Sequence, residues 1–249
     1  MRKILIANFK MNTTPSAFKS YAMTLATKAK HCKNEIIVCP PYTHLFVARD
    51  MLAGTNVSFG AQNLSEEEKG ELTGEISASM IKDLGANYVV VGHCERRLKF
   101  KENDKTINKK IKTALANGLK VILCVGENLQ TRTNKQACQF VRNQLEEDLR
   151  GIYENELEGV IVAYEPVWAF GTGKNVTAKD IAKMVETIRK EIAYMYSDKA
   201  GNTVNVVYGG GVTLSNYKKL LDNDELNGLL VGNACLDVDN FAIMCKENY

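Results

Sequence analysis

Glu165, His93 and Lys10 are a carboxylate, an imidazole and an ammonium, each just past a short apolar run. Glu165 follows Val160–Ala163 and is fixed in place by Pro166. A carboxylate there can be partly desolvated, which lifts its proton affinity toward that of a general base. Taken alone, it reads more often as a salt-bridged Glu at a strand end. His93 ends Tyr88-Val89-Val90-Val91-Gly92. On a turn that starts a helix, an imidazole tends to stay neutral and can donate to a substrate oxygen. A satisfied structural His is the equal alternative. Lys10 can hold an anion and stabilise developing negative charge, or can be a surface lysine, the usual fate of the residue. Glu95 is either its ion-pair partner or a first-turn acid of a helix, and Asn8 shares its strand end.

Three segments add backbone N–H groups: Gly171-Thr172-Gly173, Gly209-Gly210-Gly211 and Gly232-Asn233, the last before a short helix predicted from Ala234. Such segments suit a phosphate dianion, although each alone could be only a tight turn. A base, an electrophile, a cation and anion-binding loops together describe proton abstraction beside a carbonyl in a phosphorylated substrate.

The elements that must position these groups are short and regular. Continuous apolar runs predict strands at Ile4–Phe9, Ile36–Cys39, Val57–Gly60, Tyr88–Val91, Val121–Val125, Val160–Ala163, Val204–Tyr208 and Gly228–Val231. Runs without polar alternation are those of parallel strands buried on both faces. Helical stripes lie between them. Thr14-Pro15 gives a cap and a first-position Pro, with Phe18, Tyr21, Ala22, Leu25 and Ala29 on one face. Ile107, Ile111, Ala114 and Leu115 form another stripe, stopped by Asn117-Gly118. Thr177 and Asp180 make a capping-box pattern ahead of Ile181, Met184, Val185, Ile188 and Ile192. Eight strand–helix alternations mean an α/β fold with a parallel sheet. The pattern does not separate a closed barrel from an open sheet. The dinucleotide fingerprint of open sheets is missing, since Leu214 stands where the last glycine of Gly209-Gly210-Gly211 should be. A Walker loop fails at Trp168 and Asn175. The 249 residues suit one (β/α)8 barrel of about 250, and no linker divides them. The expectation is a single catalytic domain over residues 1–249.

A net charge of +3 gives no signature of nucleic-acid or membrane binding. Glu66-Glu67-Glu68 reads as a solvated loop face. Asn8 and Lys10 cut the first apolar stretch too short for a leader, and no segment reaches the ~18 apolar residues of a membrane span. The expected location is cytoplasmic. Seven cysteines without a CxxC pair read as reduced thiols. His31, Cys32, Cys39 and His44 fit no zinc spacing, so no metal is expected.

At these residues the chain resembles triosephosphate isomerases from the first strand to the last. Asn8-Phe9-Lys10-Met11-Asn12 resembles their N-x-K-x-N start. Gly60-Ala61-Gln62-Asn63 and Thr73-Gly74-Glu75 resemble their third-loop segments. Gly92-His93-Cys94-Glu95-Arg96-Arg97 is similar to G-H-S-E-R-R, and Cys124-Val125-Gly126-Glu127 to the fifth strand end. Ala163 to Gly173 matches the Y-E-P-V-W-A-x-G-T-G signature, the most specific of these; Tyr208-Gly209-Gly210 and Val231-Gly232 match the last two loops.

The resemblance implies a TIM barrel that interconverts glyceraldehyde 3-phosphate and dihydroxyacetone phosphate through an enediolate, a step of glycolysis and gluconeogenesis, without metal or organic cofactor. It implies Glu165 as the base, His93 as a neutral electrophile and Lys10 as the cation that holds substrate and stabilises the enediolate, with Asn8 beside them. Glu95 and Cys94 would support these groups. Gly171, Gly210, Gly211, Gly232 and Asn233 would face the phosphate, and residues 166–176 would form a lid that excludes water. A homodimer is implied, with the Thr73 loop reaching toward Asn12 and Lys10 of the neighbour. A weakly catalytic sugar-phosphate-binding barrel with a scaffolding role is the rival; it predicts loss of Glu165, His93 or Lys10, and all three are present.

Three positions depart from the pattern. Cys94 replaces a usual Ser and is a weaker hydrogen bonder toward Glu165. Gly211 replaces a Ser whose hydroxyl would help latch the lid. Asn233 replaces a usual Gly, and Asn tolerates left-handed backbone angles.

Overall fold

The computed structural model describes residues 2–170, 172 and 176–247. Eight parallel strands close into a barrel in sequence order. They are β1 (Ile4–Asn8), β2 (Glu35–Cys39), β3 (Val57–Ala61), β4 (Tyr88–Val91), β5 (Lys120–Val125), β6 (Val160–Tyr164), β7 (Asn205–Tyr208) and β8 (Gly228–Val231). The ring closes where Ile4 and Ala7 of β1 stand opposite Gly228 and Val231 of β8.

Because side chains alternate along a strand, every strand but β3 feeds two cores, while Val57, Phe59 and Ala61 of β3 join only the outer one. Ile4, Ile6, Ile37, Val90, Ile122, Ile161, Ala163, Val207 and Leu230 pack together as one cluster, the barrel interior. Leu5, Ala7, Ile36, Val38, Val89, Val91, Val162 and Val206 belong to the larger cluster shared with the helices. This double burial is why the strands read as unbroken apolar runs. Burying one such Ile or Val side chain stabilises by about 1.5–3 kcal/mol.

The helices begin where their caps predict. Thr14 Oγ1 accepts the Ala17 N–H at 3.4 Å ahead of the helix Pro15–Ala29. Asn103 Oδ1 accepts the Thr106 N–H at 3.0 Å ahead of Asp104–Ala116. Thr177 and Asp180 cap each other's backbone at 3.1 and 3.0 Å, opening Ala178–Met195. The five predicted inward residues of that helix, Ile181 to Ile192, are all buried.

The acidic run is solvated as expected at Glu67 and Glu68, which are exposed, while Glu66 is half-buried. Glu66 and Glu68 take hydrogen bonds from Lys109 at 3.1 Å and Asn117 at 2.8 Å, which pins this loop to the helix Asp104–Ala116. No helix among the described residues is long and apolar enough to cross a membrane.

Candidate active site

The strand period carries the polar residues to one end of the barrel. On β1, Ile4 and Ile6 face inward, and Asn8 continues that phase. On β6, Ile161 and Ala163 face inward, and Glu165 follows two residues on. Glu165 is 2% exposed and His93 6%. A cavity of about 270 Å3 at this end is lined by Asn8, Lys10, His93, Glu165, Gly209, Gly210, Gly211, Gly232 and Asn233. Every sequence-predicted contact residue that the structure describes is thus at one opening; Gly171 lies outside the described residues. Asn233 begins the predicted short helix as a single 3-10 turn, Asn233–Leu236. A larger groove of about 650 Å3 lies nearby, between Phe170, Ile181, Tyr208 and Leu226. Among the described residues, Lys219 is its one charged lining residue, so its size does not make it the reacting site.

Glu165 and His93 meet directly. His93 Nε2 lies 2.9 Å from Glu165 Oε1. His93 Nδ1 accepts the Glu95 N–H at 3.3 Å, so the ring caps the helix Cys94–Lys99. An accepting Nδ1 leaves the neutral ring's proton on Nε2, where it donates to Glu165. Burial pushes the imidazole's proton affinity down, but the Glu165 and Glu95 carboxylates more than offset this, and the net shift is upward. The start of a helix alone favours the opposite sign; the carboxylate at 2.9 Å decides it.

The second oxygen of Glu165, Oε2, accepts the Cys94 backbone N–H at 2.8 Å. Position 94 therefore meets Glu165 through its backbone N–H as well as through its thiol, which lessens the consequence of Cys in place of Ser. Burial, followed by Glu165 and Glu95, pushes the Cys94 thiol up, so it is no thiolate nucleophile.

Lys10 turns away from β1 with φ +51°, left-handed and unusual for a residue with a side chain. Two side chains hold it there. Asn8 Oδ1 accepts the Lys10 N–H at 3.0 Å, and Gln62 Nε2 donates to the Lys10 carbonyl at 3.0 Å and to Cys39 O at 2.8 Å. Lys10 Nζ is 2.7 Å from Glu95 Oε1, the expected ion pair. Burial lowers the Lys10 proton affinity, Glu95 raises it, and the net shift is upward; Glu95 is held down in return, its own burial notwithstanding.

Behind these groups stands a polar frame. Gly126 is required by close approach, since a Cβ there would lie 1.7 Å from the Glu165 carbonyl oxygen. Gly92 has φ +72° and turns the chain from β4 into His93. Arg97 locks that turn by donating to Gly92 O at 2.7 Å, Cys124 O at 3.0 Å and buried Asp148 at 2.6 Å. Glu127 accepts from Tyr164 at 3.2 Å and from Arg132 at 3.1 Å, while the Arg132 guanidinium stacks 4.0 Å over Trp168 and also bonds Asp180. Gln62 and Arg97 lie inside motifs whose positioning work their residue types do not announce. A buried polar side chain beside a turn is the signal that reveals it.

Comparison with known proteins agrees with this geometry. A family model described as triosephosphate isomerase matches residues 3–248. Among curated relatives, a triosephosphate isomerase of Thermoanaerobacter pseudethanolicus is 41% identical over 241 residues, 97% of each chain. One of Aquifex aeolicus is 42% identical over 243 residues, 97% of this chain and 98% of that one. One of Dictyoglomus thermophilum is 40% identical and spans 99% of both. The crystal structure of triosephosphate isomerase from Bartonella henselae superposes with a TM-score of 0.89 at 33% identity, covering 98% of each chain. With the family model spanning nearly its whole length and its barrel closed in the same way, this chain belongs to the triosephosphate isomerase family.

Proposed function

We propose that this chain interconverts glyceraldehyde 3-phosphate and dihydroxyacetone phosphate by moving one proton between adjacent carbons. The observation that carries the reading is the convergence of Glu165, His93 and Lys10 on one cavity of about 270 Å3. Glu165 removes the proton from the carbon beside the carbonyl and returns it to the neighbouring carbon. His93 donates from Nε2 to the carbonyl oxygen, exchanging its present acceptor, Glu165, for substrate. Lys10, kept charged by Glu95, stabilises the negative charge that grows on the enediolate oxygens. Asn8 shapes the Lys10 turn and faces the same opening.

The phosphate is assigned to the backbone around Gly210, Gly211, Gly232 and Asn233, with Gly171 joining from the sixth loop. A lid over residues 166–176 excludes water and suppresses phosphate loss from the intermediate. No cofactor takes part in this chemistry. The reading also includes a homodimer in the cytoplasm. Met11 is 95% exposed and Phe100 63%, and both line a notch beside the site into which the neighbour's Thr73 loop would fit. Sedimentation of the purified protein at monomer mass would remove that part.

The test of the reaction is triose phosphate interconversion beside Glu165→Gln. Loss of the base is expected to lower kcat roughly 10²–10⁴-fold with native folding. A variant that turned over as fast as the parent would remove Glu165 from the mechanism.

A further inference from the structure

We propose that His93, Cys94 and Glu165 form a binding site for a soft divalent cation, zinc or cadmium, whose occupation shuts off the enzyme. Among the described residues, this is the one place where three His, Cys, Asp or Glu side chains converge. Each offers one donor atom, and the three atoms lie within 4.8 Å of one another. In tetrahedral zinc, thiolate, imidazole and carboxylate donors are about 3.5 Å apart. The ring must turn for one nitrogen to face both other donors, because Cys94 Sγ lies 3.9 Å from His93 Nδ1 whereas Glu165 Oε1 lies 2.9 Å from Nε2 on the ring's other side.

The donor set selects the ion. Thiolate and imidazole prefer zinc and cadmium over magnesium or calcium, which take oxygen. A serine at position 94 would supply no such ligand. Charge also balances. The ion displaces the thiol proton to solvent, so one thiolate and one carboxylate neutralise its two positive charges, a favourable sum at a buried site. Nothing is oxidised or reduced. The Lys10 ammonium beside the site is already paired with Glu95 at 2.7 Å. The ion enters through the cavity that His93 and Glu165 line, while Cys94 lines an adjoining hollow of about 70 Å3 that Glu165 also borders. Once bound, it holds both the base and the electrophile. The inhibitory half rests on the function proposed above; the binding half does not.

The experiment uses the reduced full-length protein. Cadmium is titrated in while the ultraviolet absorption of the cadmium–thiolate bond is followed. Zinc is added to isomerase assays read directly by NMR, so that no coupling enzyme meets the metal. One absorbing site per chain is expected, lost in Cys94→Ser and kept in Cys138→Ser, a thiol away from the site. Glu165→Gln keeps the thiol and should bind cadmium at least about tenfold more weakly. Zinc should inhibit the parent reversibly, with chelator restoring turnover, and the half-inhibiting concentration should rise at least about tenfold in Cys94→Ser. Absorption that persists in Cys94→Ser overturns the site. Zinc inhibition that is absent, or equal in the two proteins, overturns the inhibitory role. If the protein turns over no triose phosphate, the cadmium titration still decides the site.

Discussion

Two lysines bracket β1, and the barrel uses them in opposite ways. Lys3, just before the strand, is 2% exposed. Its Nζ donates to Leu226 O at 2.6 Å and Asn223 O at 3.3 Å, tying β1 to the turn ahead of β8 where the ring closes. Lys10, just after the strand, keeps 34% of its side chain open and pairs with Glu95. Burial lowers the proton affinity of Lys3, only partly offset by Asp224 and Asp222, whereas Glu95 lifts that of Lys10 above its ordinary value. The closed end of the barrel thus saturates its ammonium with carbonyls, which fasten structure. The open end leaves its ammonium one carboxylate and a free approach, which keeps charge available for a ligand.

The comparison breaks first at Lys10. Lys10→Met should cost 10²-fold or more in kcat/KM, the scale of a lost electrostatic stabiliser. Its folding stability should stay within about 1 kcal/mol of the parent, because a half-exposed ion pair contributes no more. Urea unfolding beside steady-state kinetics separates the two, and a large stability loss with intact turnover would reverse the assignment.

Lys3→Met should do the converse. It leaves the Leu226 carbonyl buried without its donor and should lose about 1–3 kcal/mol, with kcat and KM near those of the parent. A kinetic defect in the folded variant would mean that the two ends of β1 are coupled.

The smallest effect is a pair of alkaline slopes. Lys3 has a folded value below its ordinary 10.5. Between the two, the unfolded chain binds more protons, so stability gains a rising term as pH approaches 10.5. Lys10 has a folded value above 10.5. Its contribution is fully present below 10.5 and is lost as pH rises through the folded value. Unfolding free energies of each variant, subtracted from the parent's across this range, should change with opposite signs. Differences of the same sign would show that the two environments are alike.

Much of this frame was legible from residue types. The eight predicted strands agree with the observed ones to within about a residue at each end, because double burial leaves an apolar signal that needs no partner to be seen. The caps at Thr14 and Thr177 were equally plain, since a side chain bonding a residue three positions on is local chemistry. The site was visible as a set of unlike groups past strand ends. What each group does to its neighbours was not. Asn8 and Gln62 are amides whose residue type does not announce a positioning role, and only the fold shows them holding Lys10 at φ +51°. Position 94 reaches Glu165 through its side chain, as its place beside His93 suggests, but the backbone N–H that also does so at 2.8 Å is visible only in the fold.

The sequence by itself determined the alternation of strands and helices and the phase that aims Asn8 and Glu165 inward, because periodicity and capping act over a few residues. Only the tertiary structure decided that the sheet closes. It also decided that His93 meets Glu165 across 72 positions and takes an upward shift in proton affinity from it, and that one lysine of β1 is sealed while the other stays open. Those outcomes depend on distance, burial and charge between segments far apart in the chain, and such quantities exist only once the barrel has brought the segments together.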